Sequence, residues 1–349
     1  MTQAGTSKGE TVRVGVIGAG WPGERHADGY VATPGCRLVA IADANAERGA
    51  AFAARYGAMQ EGAALKIYAD YSGLLADPEI DAVSVALPNF LHHPATIAAL
   101  EAGKHVLCEK PPALNHAQAR QMVETATRAG KLLAFALQRR FSPAVEALHE
   151  VVASGELGEV YHARAVWTRA WGVPKGLGGW FTDPARAGGG ALIDIGVHVL
   201  DMAWFLMGCP APTTVSGQVF NKFPEETRTD DSAFALVRFA DRRSLHVEAS
   251  WALAQADDHF AVHLYGTRGG ARVNDNELDL YTVGDDGRTT RGRVIKAGGL
   301  QAFLKQSANF IGALRGEVEL RTPATHGAQI MAMIDGIYRS AAEGHEVVM

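Results

Sequence analysis

The chain has 349 residues, 47% of them hydrophobic and 20% charged, with a formal net charge of −5 at pH 7. This composition excludes a disordered chain, and it lacks the basic balance or stripe of a nucleic-acid binder. No apolar run approaches the roughly 18 residues of a membrane span, and the length favours about two domains.

The three cysteines, Cys36, Cys108 and Cys209, are widely spaced with no CxxC pair, which excludes a disulfide framework and a cysteine zinc site. The opening stretch, residues 1–11, is polar, with no apolar h-region and no twin arginine. A cytoplasmic location is therefore expected.

In chain order, Val12–Ile17 is a β-branched run that predicts a buried strand. It leads into Gly18-Ala19-Gly20-Trp21-Pro22-Gly23, a G-x-G-x-x-G turn from strand to helix. In such a turn the first glycine permits the bend and the second lets a pyrophosphate approach the backbone. The third lets helix pack on strand, and the helix N-terminus offers N–H groups to phosphate. Pro22 suits an early helical position, where its missing N–H is no loss. A glycine-rich turn that binds nothing is the plain alternative. A second strand over 38–42 ends at Asp43, near the spacing expected of the acid that takes the adenosine ribose hydroxyls. Such a carboxylate repels a 2′-phosphate and favours NAD over NADP; alternatively, Asp43 caps the helix predicted over 46–56.

The alternation continues with a strand over 82–87, a helix over 94–102, a strand over 105–107, a helix over 117–129 and a strand over 132–136. This rhythm predicts a doubly wound parallel sheet, whose ligands sit at the carboxyl ends of the strands. The residues there include Asp43, Pro88, Asn89, Glu109, Lys110, Pro111, Gln138 and Arg139. Lys110 is either an ordinary surface lysine or a cation that lowers the pKa of a substrate hydroxyl.

Beyond residue 140 a helix over 143–153 precedes strand-like runs over 160–169, 214–220, 233–239, 244–252 and 259–265. Consecutive strands with short connections predict an antiparallel sheet in an α+β domain. Helices over 302–315 and 328–342 close the chain. Residues 188–201 (GGGALIDIGVHVLD) predict a buried helix opened by three glycines. Asp194 and His198, four apart, fall on one face, and Asp201 is three residues further on. A carboxylate beside an imidazole raises its pKa and orients it as a general base; a core histidine bonded to a neighbour is the alternative. No third ligand accompanies the pair, so no metal is expected. Trp167, Trp171 and Trp180, with Arg169 and Lys175 among them, are either packing residues or aromatic faces and cations for a sugar ring.

Several ordered motifs carry a resemblance. They are G-x-G-x-x-G-x-x-H from Gly18 to His26, P-N-x-x-H from Pro88 to His92, and A-G-K-H-V-x-x-E-K-P from Ala102 to Pro111. Q-R-R-F from Gln138 to Phe141, the glycine-rich segment from Gly188 to Asp201, and the run from Asp335 to Ser340 follow. Over nearly its whole length the chain resembles the Gfo/Idh/MocA family of glucose–fructose oxidoreductases, inositol dehydrogenases and relatives. The Trp21-Pro22 pair and the Pro112 that follows Pro111 depart from the family pattern.

The resemblance implies an α/β fold in two parts. Residues 1–137 would form a Rossmann domain with a doubly wound parallel sheet. Residues 138–349 would form an α+β domain with a large, mostly antiparallel open sheet that binds substrate and joins subunits into a homodimer or homotetramer. It also implies that Lys110 is the catalytic lysine, His198 the acid/base and Asp194 its supporting carboxylate, and it points to a cis Lys110–Pro111 bond, as in relatives. Strand ends and matched motifs together mark Gly18, Gly20, Trp21, Pro22, Gly23, Asp43, Pro88, Asn89, His92, Glu109 and Lys110 for NAD, with NADP left open. Arg169, Trp171, Trp180 and His198 are marked for the substrate. The expected activity is hydride transfer between nicotinamide and a secondary alcohol of a sugar or inositol-like polyol. No nucleic-acid or membrane partner is expected. The alternatives are a redox-neutral NAD-dependent glycosidase, a reductase of another small carbonyl, and a non-catalytic dinucleotide-binding regulator.

Overall fold

The β-branched and small apolar runs of the first half form six parallel strands: β1 (Val12–Ile17), β2 (Cys36–Ala42), β3 (Lys66–Tyr68), β4 (Ala82–Val85), β5 (His105–Cys108) and β6 (Leu133–Phe135). The structure is a computed structural model and describes residues 11–60, 62, 64–173, 179–284, 288–296 and 301–349. The strand order is β3-β2-β1-β4-β5-β6. Helices α1 (Trp21–Ala32), α2 (Ala46–Ala58), α3 (Tyr71–Leu75), α4 (Asn89–Glu101) and α5 (His116–Ala129) alternate with the strands. β4 and β5 are buried along their whole length, as parallel strands covered on both faces must be. Chain direction across the sheet reverses between β1 and β4, the switch point where doubly wound folds bind ligands.

Two local expectations are corrected. Pro94 does not open its helix: α4 starts at Asn89, with Pro88 as N-cap and Pro94 inside. The short β3 and α3, of three and five residues, carry too little periodicity to be read from the sequence.

The second unit begins after one 3-10 turn, Gln138–Phe141, with α6 (Pro143–Ala153), β7 (Val160–Thr168), α7 (Pro184–Ala187) and α8 (Val197–Leu206). It continues with β8 (Pro212–Phe220), β9 (Ser232–Phe239), β10 (Ser244–Ser250), β11 (His259–Gly266), β12 (Gly269–Val273), β13 (Glu277–Val283) and β14 (Thr289–Lys296). Nine strands, including the final β15 (Val347–Val348), form one sheet in the order β14-β13-β12-β11-β7-β10-β9-β8-β15. Among the described residues every pairing in this sheet is antiparallel except β7 with β10. The hairpins β12 to β14 were not expected, because their glycines and charges mask the strand period.

α8 lies on β7, β10 and β11, with α6 behind it. Covered on all sides, it is apolar all round. Against the expectation that no apolar run is long enough, the stretch Pro184–Leu206 is long and apolar enough to cross a membrane, but 89% of its most apolar window is buried in the protein. It is a core helix. The other face of the sheet is polar: His246, Arg164, His263 and Arg272 stand in register across four strands, and Arg164 Nε donates to Glu248 Oε1 at 2.6 Å.

After β14 the chain returns to the first unit. In α9 (Gln301–Leu314), Phe310, Ile311 and Leu314 join the core formed by Val12, Val14, Leu38, Ile41, Phe52 and Tyr56. By compactness the first unit runs to Gln138 and includes Phe303–Ala328; the second is Arg139–Ala302 with Gln329–Met349. A single cut after residue 137 therefore misplaces residues 303–328, whose apolar side chains complete the first core. α10 (Ala324–Glu343) precedes β15.

Candidate active site

In the first unit the glycines of the turn serve different ends. Gly18 has φ +101°, and a Cβ there would stand 2.2 Å from the Ala86 carbonyl oxygen. A Cβ on Gly23 would stand 1.9 Å from the Gly18 oxygen. Both are required by the fold itself. Gly20 is different: its Cβ would meet nothing closer than Pro22 Cδ at 3.8 Å, and no side chain caps α1. This cradle over a helix N-terminus, which a Cβ would fill, fits a pyrophosphate. Pro22 sits in the first turn of α1, as expected. The Trp21 ring is exposed and lies edge-on to Phe303 at 5.5 Å.

Asp43 is buried at the end of β2. Oδ2 accepts the Ala19 N–H at 2.8 Å and Arg48 Nε–H at 3.0 Å; Oδ1 accepts the Asn45 N–H at 2.8 Å and Arg48 Nη2–H at 2.7 Å. Burial would raise its pKa, but Arg48 and the two N–H donors outweigh this and hold it below the usual carboxylate value. The helix after Asp43 is capped by Asn45, which accepts the Arg48 N–H, so the capping alternative for Asp43 does not hold. A cavity of about 330 Å³ adjoins Asp43, lined also by Ile17, Arg48, Tyr71, Pro88 and Leu91.

His92 is buried behind this edge, its ring nitrogens each 2.7 Å from a carbonyl oxygen, of Leu87 and of Pro111. It ties the loop after β4 to the loop after β5. Asn89 is buried in the first turn of α4. Glu109 is also buried: Oε1 lies 3.0 Å from His26 Nε2 and Oε2 accepts the Lys110 N–H at 3.0 Å. Burial would raise the Glu109 pKa, but His26 opposes it and the net shift is downward. An ionised carboxylate only accepts, so His26 donates to it. On its other side His26 Nδ1 meets Ser84 Oγ at 2.9 Å, and Ser84 meets the Tyr30 hydroxyl at 2.6 Å. This buried chain ends on the backbone of Lys110, whose bond to Pro111 is cis. His26 was not among the expected site residues. Its spacing, three residues after Gly23, was the available signal, since it turns the ring toward the sheet.

In the second unit the three glycines of residues 188–190 have structural causes. Gly188 ends α7 with φ +83°. A Cβ on Gly189 would stand 2.1 Å from the Tyr338 hydroxyl, and one on Gly190 would stand 1.8 Å from the Asp230 carbonyl oxygen. The buried Asp230 carboxylate accepts the Gly190 N–H at 2.6 Å, the Leu192 N–H at 2.9 Å and the Tyr338 hydroxyl at 2.8 Å. It holds the start of the segment that carries Asp194 and His198.

That segment is not one regular α-helix, as expected, but a π-helical turn, Leu192–Gly196, followed by α8. The wider turn changes the simple four-residue relation between Asp194 and His198. Asp194 Oδ2 accepts Trp251 Nε1–H at 3.0 Å. His198 is buried, with its ring 5.5 Å from that of Trp167. Asp201, expected as a second neighbour of His198, faces Arg140 instead: Arg140 donates Nε–H to Oδ1 at 3.0 Å and Nη2–H to Oδ1 at 2.6 Å. Both side chains are fully buried, so each charge needs the other.

Arg139 and Arg169 lie over the Trp167 ring, at 4.6 and 5.6 Å. Trp171 is exposed with its edge on Phe223, and Trp180 packs on Phe181 at 4.8 Å. Lys175 lies outside the described residues.

A family model described as an oxidoreductase family with an NAD-binding Rossmann fold matches residues 12–137, and a GFO/IDH/MocA C-terminal domain model matches 145–272. D-glucoside 3-dehydrogenase of Escherichia coli K12 is 33% identical over 364 aligned positions, covering 96% of this chain and 97% of that protein. The chain belongs to the Gfo/Idh/MocA family.

Levoglucosan dehydrogenase of Pseudarthrobacter phenanthrenivorans is 29% identical over 306 positions, 78% of this chain and 76% of its own length. A solved structure of levoglucosan dehydrogenase in complex with NADH and levoglucosan superposes with a TM-score of 0.87 at 26% identity, covering 97% of this chain and 99% of that one. As a Gfo/Idh/MocA member this chain is an NAD(P)-dependent oxidoreductase with an NAD-binding Rossmann unit. Its first unit gathers Gly18, Gly20, Gly23, Asp43, Pro88 and Lys110 at the carboxyl edge of the parallel sheet. His92 and Glu109 lie behind that edge as supports. Its second unit gathers Asp194, His198 and the aromatic group around Trp167 and Trp251.

Proposed function

We propose that this protein is a dehydrogenase of a secondary hydroxyl on a sugar ring, of the pyranoside or anhydro-sugar kind, with inositol-like polyols as the next class. The observation that carries the reading is His198, buried with its ring 5.5 Å from that of Trp167 and close in sequence to a carboxylate anchored by Trp251. Indole faces suit the C–H faces of a sugar ring, and an imidazole is the usual base for a hydroxyl proton. The names of the sugar-dehydrogenase relatives support the same substrate class.

In this reading His198 takes the hydroxyl proton and Asp194 supports the imidazolium. Lys110 donates to the developing alkoxide, held in place through the Glu109 contact to its backbone. The Gly20 cradle and the Asp43 edge hold the dinucleotide. Bound nicotinamide supplies the hydride acceptor, and the protein supplies alignment. The first unit thus serves the cofactor and the second serves the substrate. Cys36, Cys108 and Cys209 form no disulfide, which supports a reducing, cytoplasmic setting. The family resemblance supports self-association into a homodimer or homotetramer through the large sheet.

The test is NADH formation at 340 nm with NAD and a panel of glucosides, anhydro sugars, aldoses and inositols, beside a Lys110→Ala control. Turnover on a pyranoside that the control lacks supports the proposal. Turnover on inositols alone replaces the substrate class. Release of free sugar without net NADH replaces the reaction with a redox-neutral glycosidase.

A further inference from the structure

Four polar side chains stand in line inside the first unit, and the proposed reaction uses none of them directly. Tyr30 and His26 come from α1, Ser84 from β4, and Glu109 follows β5; the first three are fully buried and Glu109 nearly so. A buried carboxylate is costly, and apolar side chains of similar size often serve stability as well or better. Stability alone therefore does not account for the row.

The protons can be placed along it. Glu109 is ionised, so it only accepts, and it takes His26 Nε2–H and the Lys110 backbone N–H, each at 3.0 Å. Burial raises the Tyr30 pKa, so its hydroxyl keeps its proton. A His26 ring with a second proton, on Nδ1, would donate to Ser84 and turn the Ser84 proton onto Tyr30. The Tyr30 proton would then have no acceptor among the described residues. A ring with one proton leaves nothing unpaired: Tyr30 donates to Ser84 at 2.6 Å, and Ser84 donates to His26 Nδ1 at 2.9 Å. Every donor then points toward Glu109, and the bonds of such a chain strengthen one another.

We propose that His26 is a positioning residue for Lys110: through Glu109 it fixes the lysine backbone to α1, the helix that opens on the phosphate turn. The proposal rests on the reading that Lys110 steadies the developing alkoxide. β5 ends at Cys108, and Glu109 N–H still bonds to Val85 O at 2.9 Å. The next N–H, of Lys110, leaves the sheet and goes to the Glu109 carboxylate. The strand therefore does not hold Lys110 by itself; the carboxylate does, and His26 holds the carboxylate. His26 lies three residues after Gly23 on a regular helix, so the lysine is set by the same element that faces the dinucleotide. Supporting hydrogen bonds of this kind keep a reacting group within a fraction of an ångström of its working place.

The test uses the full chain with NAD and the best sugar of the panel, measuring kcat, KM and, by nicotinamide fluorescence, NADH affinity. His26→Leu, which has no donor for Glu109, should lower kcat about tenfold or more and leave KM and NADH affinity within about threefold. His26→Gln, whose amide still donates, should recover at least about a third of the wild-type kcat. Added to Lys110→Ala, His26→Leu should cost less than about twofold in the residual rate, because two changes that act through one group do not add. NADH affinity falling in step with kcat, a Gln variant no better than Leu, or a loss on Lys110→Ala as large as in the wild-type background would each overturn the proposal and leave His26 a part of the fold. Should His26→Leu not fold, Ser84→Ala, which removes only the hydroxyl that orients the ring, carries the test. Its kcat should fall about threefold or more with NADH affinity kept, and an unchanged kcat overturns the proposal. A wild-type chain that oxidises none of the panel, or a Lys110→Ala chain as fast as wild type, defeats the catalytic reading first, and the proposal falls with it.

Discussion

Replacing Gly20 by alanine separates what the fold needs at the phosphate turn from what a ligand needs. Gly20 has φ −76° and ψ −179°, an extended conformation that alanine adopts without strain, and its Cβ would have 3.8 Å of clearance. Alanine is a poorer N-cap than glycine, by somewhat under 1 kcal/mol. Against this, restricting the unfolded chain stabilises by about 0.4–1 kcal/mol. The two nearly cancel, so Gly20→Ala should melt within a few degrees of wild type. The same methyl fills the space over the N–H groups of α1, and NADH affinity should fall at least tenfold, about 1.4 kcal/mol. Gly23→Ala is the control. Its Cβ would stand 1.9 Å from the Gly18 oxygen, and Gly18 is itself pinned by its N–H bond to Ala42. Forcing that contact apart should cost about 1–3 kcal/mol of stability, a large part of a margin of about 5–15. The assays are thermal melting and NADH fluorescence titration on both variants. A Gly20→Ala protein that binds NADH like wild type, or one that is destabilised as much as Gly23→Ala, would refute the reasoning.

Two other outcomes are expected. Asp230→Ala strands two N–H groups and the Tyr338 hydroxyl in a buried place, and urea unfolding should show a loss of about 3 kcal/mol, at about 1 kcal/mol or more for each lost partner. Asp230→Asn, which keeps an accepting oxygen, should recover part of that, and a loss below 1 kcal/mol for alanine would contradict the assigned role. Burial, helped by Lys131, pushes the His105 pKa down to about 4. Between that value and its ordinary 6.5 the unfolded chain binds the proton that the folded ring refuses. Stability should therefore fall as pH drops through that window. His105→Asn, whose side-chain oxygen can still accept the Leu132 N–H, should flatten that limb of the urea midpoint against pH.

Much of the first unit was legible because its signals are local. Strand, glycine turn and helix start lie within a dozen residues at Val12 to Gly23, and sterics between near neighbours decide them. The family motifs likewise marked Lys110, Asp194 and His198. The partners of these groups were not legible. Asp201 is three residues from His198, yet it belongs to Arg140, 61 positions away. Asp230 reaches 40 residues back to Gly190, and only that approach explains why glycine stands there. Glu109 looked like a cofactor ligand at a strand end, but it is turned inward to His26, 83 residues away.

The sequence by itself determined the alternation of strands and helices, the parallel sheet and its carboxyl edge, because backbone preferences and apolar periods act over a few residues. The tertiary structure alone decided where residues 303–328 pack, that the segment carrying Asp194 and His198 opens with a π turn, and which buried charges pair. Those outcomes depend on close approach between distant segments. There, a single ångström decides whether a side chain fits and whether a buried polar group finds its partner.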